Sequence, residues 1–539
     1  MPDMRSLENC VAAQVAEFQP RLIRVMELQW LVSTTGKPEH QVALMQETKQ
    51  LRAQLAQPQR FEELSTLLKH DAGISNSPDS RVLRQAILLR NEFAANRADP
   101  ALLNQISDLE AQVQQTFANF RATIDGTTLL DNDLKEILQG SSDVGLRESA
   151  WRASKQIGIQ VSDIVRQLAR LRNQIAQQAG FANYYVMRLE LDELSASEVF
   201  GLFDALNQSI APAWLRYKDS LDAQLAQRFD IGVADLQPWH YGDPFFQEPQ
   251  PSSINLDGYF LDKDLVKLTR DYFHQLGFEI DDILQRSDLF ERPGKEQHAF
   301  CVNVDHAGDI RVLCNNRPSV YWMTTMLHEF GHAVYDKYAD AGLPYLLRGP
   351  AHVLTTEAIA IMSGDLTQSA AWLARYASVP QTEAMQLENA LADEQRHSRM
   401  LFARWVFVMA NFERALYQDP EQDLNGLWWD LVERYQNVRR PAQLSGHEWA
   451  AKIHIASFPA YYHNYLMGAM ISAQLQGYIL EHIADGSREC MVSDPRVGQF
   501  MIERLFKPGG ERDWRGWLLH ATGKPLSAEA YGWVLAASF

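Results

Sequence analysis

The stretch Ser319–Tyr338, SVYWMTTMLHEFGHAVYDKY, decides how the rest of the chain is read. Met323, Met326, Leu327, Phe330 and Val334 give it an apolar surface, and Ser319 after Pro318 is a fitting cap. The pattern predicts a helix lying in the core. Within it, His328-Glu329-Phe330-Gly331-His332 sets two histidines four residues apart. That is just over one turn, so both imidazoles leave the same face and can share a small metal ion. Glu329 falls beside that face, where its carboxylate reaches a metal-bound water. Two histidines hydrogen-bonded within a core would show the same five letters. Glu357, twenty-five residues after His332, separates the two readings. It sits in the apolar run Thr355-Thr356-Glu357-Ala358-Ile359-Ala360-Ile361-Met362, where a carboxylate is costly to bury unless paired or metal-bound. Two histidines and one carboxylate hold Zn2+ with the fourth position open to water, as in catalytic rather than structural sites.

Composition narrows the remaining classes. With 539 residues the chain can bury a large core and form two or more lobes. Lys and Arg total 50 against 68 Asp and Glu, a net charge of −18, which argues against nucleic acid or an anionic membrane as a partner. No apolar run approaches the ~18 residues of a membrane span. The opening MPDMRSLENCVAAQVAEFQP lacks a basic segment followed by an apolar core, and four cysteines in such a chain do not make a disulfide scaffold. The expectation is a soluble cytoplasmic protein, periplasmic or secreted if a signal has been removed. There is no GxSxG, Walker A or GxGxxG, which removes the usual serine hydrolase, nucleotide and dinucleotide readings.

Helical periodicity runs through most of the chain. To about residue 125 it predicts two or more antiparallel helices, with a break at Pro58 and loops at 71–78 and 140–142. Ser195 and Glu198 have capping-box spacing. An irregular aromatic segment, 237–246, leads into a loop at 247–253. Strand-like alternation appears once. Phe300, Val302 and Val304, then Ile310, Val312 and Cys314, predict a β-hairpin that places Cys301 and Cys314 nearly opposite each other. Such a hairpin offers an edge strand along which an extended peptide can lie. Glu394-Gln395-Arg396-His397 has the Glu-x-x-His spacing of a di-metal site, but no second copy exists and it reads as a solvated helix face. Lys452–Tyr465 packs one lysine, two histidines and three tyrosines into fourteen positions, with Tyr462 and Tyr465 spaced to point the same way from a helix. Phenols and imidazoles are the donors wanted around a tetrahedral intermediate.

Together these residues resemble the angiotensin-converting-enzyme family of zinc peptidases, a gluzincin family, and more distantly the thimet-oligopeptidase family. Cys301 through Cys314, the HExxH stretch, Leu343–Ala351, Glu357-Ala358-Ile359, Trp428-Trp429-Asp430-Leu431 with Arg434-Tyr435-Gln436, and Lys452-x-His454 follow that family's order and near spacing. Weaker likeness reaches back to about Leu146, so roughly the C-terminal three quarters is covered. The resemblance implies a mainly α fold, with two helical lobes around a deep substrate cleft and a small β-sheet beside the HExxH helix. It implies one catalytic unit over 1–539, with 1–125 supplying a helical lid and 295–470 the zinc and substrate-binding core.

Carried over by position, His328, His332 and Glu357 resemble the Zn2+ ligands and Glu329 the general base and acid. His454 resembles the histidine that bonds a substrate carbonyl, and Tyr465 the tyrosine that supports the oxyanion. Lys452 and Tyr462 resemble the residues that hold the substrate's terminal carboxylate. Tyr461 is the alternative to Tyr462, because the spacing from His454 is one residue longer than the family's. The chain also departs from the pattern. Val302-Asn303 stand where the family has His-Ala. A carboxylate-binding glutamine is missing, with Tyr241 near its place. Val432 and Asn464 replace the chloride-linked arginines, and Ile361 replaces an aspartate that orients a ligand histidine. The implied activity is hydrolysis of short peptides with release of C-terminal dipeptides. An oligoendopeptidase with the same chemistry is the alternative, and a non-catalytic peptide-binding protein the remote one.

Overall fold

The computed structural model describes residues 4–68, 78–250 and 254–536. Of the loop expected at 71–78, residues 71–77 lie outside the described residues and Pro78 begins a helix; the end of the loop expected at 247–253 also lies outside them. The chain forms two compact units, each assembled from separated stretches. The first takes Met1–Arg97, Ile254–Ala392 and Met467–Ala530; the second takes Ala98–Ser253, Asp393–Leu466 and Tyr531–Phe539. Both units are mainly α-helical. The sheets among the described residues are two antiparallel hairpins, β1 Ala122–Ile124 with β2 Thr127–Leu129, and β3 Phe300–Asn303 with β4 Ile310–Leu313. No helix among them is long and apolar enough to cross a membrane.

The first unit opens with helices Met4–Thr35, Pro38–Leu55, Pro58–Leu68 and Pro78–Asn96. Three of the four begin at proline, whose fixed φ suits the first helical turn and whose missing N–H is not needed there. Their apolar positions, among them Leu7, Phe18, Leu51, Leu64, Leu89 and Phe93, form one buried cluster that also takes in Tyr345. Further along, the predicted hairpin forms, with Cys301 paired to Val312 and Asn303 to Ile310. Cys314 lies beyond the end of β4, so the two cysteines are not directly opposite, and both are free thiols. The far edge of β4 is taken, since Asp288 N donates to Val312 O and Cys314 N to Asp288 O, each at 2.9 Å. Val304 N donates to Asp309 O at 2.8 Å. In an antiparallel ladder that parity turns the backbone groups of Cys301 and Asn303 away from β4.

The second unit is built on the long helices Val144–Gln178 and Ala196–Phe229. Trp151, Trp214, Trp405, Trp428 and Trp449 are buried in its core. Ser195 caps the second helix as its spacing predicts, accepting from Glu198 N. The buried Arg147 guanidinium donates to Trp239 O at 2.8 Å and Tyr241 O at 3.0 Å, tying the aromatic segment to the first helix. The β1–β2 hairpin was missed because three-residue strands show no alternation. Its turn was visible, since Asp125-Gly126 is a strong two-residue hairpin signal and both residues have positive φ.

Candidate metal centre and the Lys452–Tyr465 segment

The HExxH helix runs Val320–Tyr338, with Ser319 Oγ accepting from Trp322 N at its start, and Glu357 lies on helix Val353–Asp365. The two helices come close because Gly331 has no side chain: a Cβ there would sit 2.9 Å from Ala360 Cα. Met323, Met326, Leu327, Phe330 and Val334 are all fully buried. The opposite flank gathers ligand atoms of His328, His332 and Glu357 within 4.8 Å of one another. His328 Nε2 and Glu357 Oε2 are 3.8 Å apart. Donors arranged tetrahedrally at ~2.1 Å from Zn2+ stand about 3.4 Å from each other, so a small inward movement seats the ion. His332 Nδ1 lies 2.6 Å from Thr356 Oγ1, which leaves Nε2 to face the ion. A hydroxyl next to the third ligand thus does the orienting that Ile361 cannot.

The electrostatics fit a cation. Burial pushes His328 down to about 4. Burial, and then the neighbouring His328, pushes His332 down to about 3. Both imidazoles are therefore neutral, as ligands must be. Burial pushes Glu357 up to about 7. Burial and the charge of Glu357 raise Glu329 to about 8, against a hydrogen bond from Cys301 N–H. A divalent cation is the charge that draws both carboxylates back to their ionised form. Glu329 is 8% exposed, and the β3 edge therefore both holds its carboxylate and continues past it through Asn303.

In the second unit, Lys452 is not a solvated surface charge. Its Nζ donates to Gln247 Oε1 at 2.8 Å and stands 5.4 Å from the Phe245 and Trp405 rings. Desolvation lowers it to about 8, with Asp243 and Glu248 pulling the other way. A glutamine, Gln247, thus stands against Lys452. Tyr241 does not stand in for it, because its hydroxyl is engaged with Asp222 at 3.0 Å and Lys218 at 2.9 Å. Tyr462 is also placed differently from the sequence reading. It precedes the helix His463–His482, and its Oη accepts from Trp405 Nε1 at 2.8 Å in the core. Tyr465 occupies the first turn of that helix, with the rings of Tyr461 and Tyr462 centred 5.3 and 5.4 Å from its own. His454 packs its ring 5.1 Å from Tyr462. Burial, and then Lys452, lowers it to about 4, so it is a neutral donor. His397, of the Glu-x-x-His spacing, stacks on Tyr217 at 4.3 Å rather than lying free on a helix face.

Two buried ionisable side chains shape this segment and escape a reading of the sequence. Ala460 has φ +54, and its N–H donates to Glu413 at 2.5 Å. Arg172 Nη2 donates to Ala456 O at 3.1 Å. Glu413 was discoverable as a lone carboxylate in the apolar run Trp405–Phe412 and beyond.

Val432 is buried apolar surface, on a cavity of about 20 Å3 that Lys155, Trp429, Gln436 and Glu448 also line. Burial works against the Lys155 charge, and the carboxylates of Asp243 and Glu448 answer what remains of it from within the protein. Exchange of chloride for acetate at fixed ionic strength is therefore expected to change kcat/KM by less than about twofold. A saturable chloride activation in steady-state assays is the contrary result.

A HExxH helix packed on a glutamate helix, with three ligands converging, defines a metal-dependent peptidase of the gluzincin class. Residues 284–532 match the model of peptidase family M3, and residues 2–230 match that of angiotensin-converting enzyme. No curated protein matches the chain significantly. The chain is thus similar, over two separate stretches, to two families of peptidase, and with the His328/His332/Glu357 cluster this supports a metal-dependent peptidase. The stretch holding the metal centre matches family M3 and the N-terminal stretch matches angiotensin-converting enzyme, the two families that the residues resemble.

Proposed function

We propose that the protein is a zinc-dependent dipeptidyl carboxypeptidase acting on short peptides. The observation that carries this reading is the half-buried Lys452–Gln247 pair, a cation and an amide held together in aromatic surroundings. A lysine has three N–H donors and this contact uses one. A partly desolvated ammonium with donors to spare is what recognition of a free terminal carboxylate requires. Tyr462, or Tyr461, adds a phenol to the same neighbourhood.

The chemistry follows from the residues. Zn2+, when bound, lowers the pKa of a coordinated water and polarises the scissile carbonyl. The Glu329 carboxylate takes a proton from the attacking water and returns it to the leaving amine. Tyr465 donates to the oxyanion and His454 to a neighbouring substrate carbonyl. The Cys301 N–H stays with Glu329, and the outward carbonyl of Cys301 with the outward groups of Asn303 pairs with an extended substrate backbone. An oligoendopeptidase uses all of these without the lysine, and the M3 match over 284–532 favours keeping it as the second reading.

C-terminal amidation separates the two. Amidation of a good substrate is expected to lower kcat/KM about tenfold or more, the worth of one charge-assisted bond of ~1.5–3 kcal/mol. Lys452→Met is expected to produce the same loss on the free acid and to add little to the loss on the amide. With Lys452 at about 8, the neutral amine prevails at higher pH, so the preference for the free acid shrinks as pH rises through that value. Equal cleavage of acid and amide, with products other than C-terminal dipeptides by mass spectrometry, gives the function to the oligoendopeptidase.

A further inference from the structure

The loop that carries Gln247 is held in an unfavourable shape. Phe246 has φ +50, a left-handed conformation that a bulky side chain keeps only when its surroundings impose it. Two buried side chains do so. The Asp243 carboxylate accepts N–H groups of Phe245 at 2.8 Å, Gln247 at 2.9 Å and Glu248 at 3.0 Å. Gln436 Nε2 donates to Phe245 O at 3.1 Å and Phe246 O at 2.6 Å. Gln247, next to the strained residue, then presents Oε1 to Lys452.

Asp243 also faces the lysine electrostatically. Among the described residues, the charged and titratable groups around Lys452 are Asp243, Glu248, Lys155, His454 and the phenol of Tyr462, which burial keeps neutral. Glu248 is 44% exposed at its side chain and paired with Lys135 at 2.6 Å, so its field is screened. His454 is neutral. Lys155 is buried, donates to Pro244 O at 2.7 Å and lies 3.2 Å over the Phe245 ring, where burial works against its charge. Asp243 is 2% exposed, and its hydrogen bonds come from backbone N–H groups rather than from a counter-ion. Of the two acids acting on Lys452, it is the one that water does not screen.

We propose that Asp243 is a positioning residue of the carboxylate subsite: it holds Gln247 against Lys452 and keeps the lysine charged, and so sets the upper pH at which a free C-terminus is recognised. This rests on the dipeptidyl carboxypeptidase reading above. The test is kcat and KM for one peptide and its C-terminal amide, from pH 6.5 to 9.5, in the parent enzyme, Asp243→Asn and Asp243→Glu. Asp243→Asn is expected to move the alkaline limb for the free acid down by about one pH unit and raise its KM about tenfold, with amide turnover kept within about twofold. Asp243→Glu keeps the charge but displaces the loop, so its limb stays at the parent pH while KM for the acid rises. An unmoved limb in Asp243→Asn, or equal losses on acid and amide, overturns the proposal. If Asp243→Asn does not accumulate as folded protein, Asp243→Glu decides: a moved limb or an unchanged KM overturns it. A parent enzyme that treats acid and amide alike removes the exopeptidase reading and this inference together. Discrimination by the parent with an unmoved Asp243→Asn limb removes the inference alone.

Discussion

Glu329→Gln is expected to lower kcat by about a hundredfold or more while the protein still binds one metal ion per chain. The three ligands are untouched by the change, and glutamine is nearly the same size as glutamate. Its Oε1 can still accept the Cys301 N–H that holds the glutamate carboxylate, so position is kept. What is lost is basicity, because an amide cannot take the water's proton and return it to the leaving amine. A hundredfold is about 2.7 kcal/mol of transition-state stabilisation. The substitution also removes a carboxylate whose ionisation is opposed by burial and by Glu357, so the metal-free variant is expected to be no less stable than the parent. Metal content, single-turnover hydrolysis and thermal unfolding check the three statements. Near-normal turnover with metal bound would move the general base to another residue.

Metal removal is expected to abolish hydrolysis, and added Zn2+ to restore it, since the sequence carries no GxSxG motif to supply an alternative nucleophile. Its effect on stability depends on pH in a predictable way. In the metal-free protein, His328 and His332 sit below 6.5, so the unfolded chain binds more protons there and stability rises with pH up to about 6.5. Glu329 and Glu357 sit above 4.5, so the folded chain keeps protons that the unfolded chain has released, and stability falls as pH rises toward 7 and 8. The two trends oppose each other below 6.5 and only the carboxylates act above it. The Tm of the metal-free protein should therefore fall between pH 6.5 and 8, while that of the zinc-loaded protein, whose carboxylates are ionised by the cation, should not. Full activity in a sample shown by elemental analysis to be metal-free would overturn the metal-dependent reading. A Tm of the metal-free protein that rises over that interval would mean that groups elsewhere dominate its titration.

Much of the centre was legible because its determinants are local. Two histidines four apart on a capped apolar helix share a face whatever surrounds them, and a carboxylate alone in Thr355–Met362 announces a partner. The β3–β4 hairpin, the break at Pro58 and the Ser195 cap are equally short-range, and all appear in the structure. The β1–β2 hairpin shows the limit of periodicity in strands of three residues, where only the Asp125-Gly126 turn carried information.

By itself, then, the sequence determined the helical class, the HExxH helix and the identity of its third partner, since each depends on spacing along one or two helices. The tertiary structure decided the rest. Gln247 meets Lys452 across 205 residues, a pairing that no local pattern announces. Thr356 orients His332 because Gly331 lets two helices approach until a hydroxyl reaches an imidazole. Tyr462 turns its hydroxyl to Trp405, and Lys452 lies among aromatic rings. Contacts of this kind are selected by how whole elements pack, and packing depends on the summed shape of the core rather than on any local pattern.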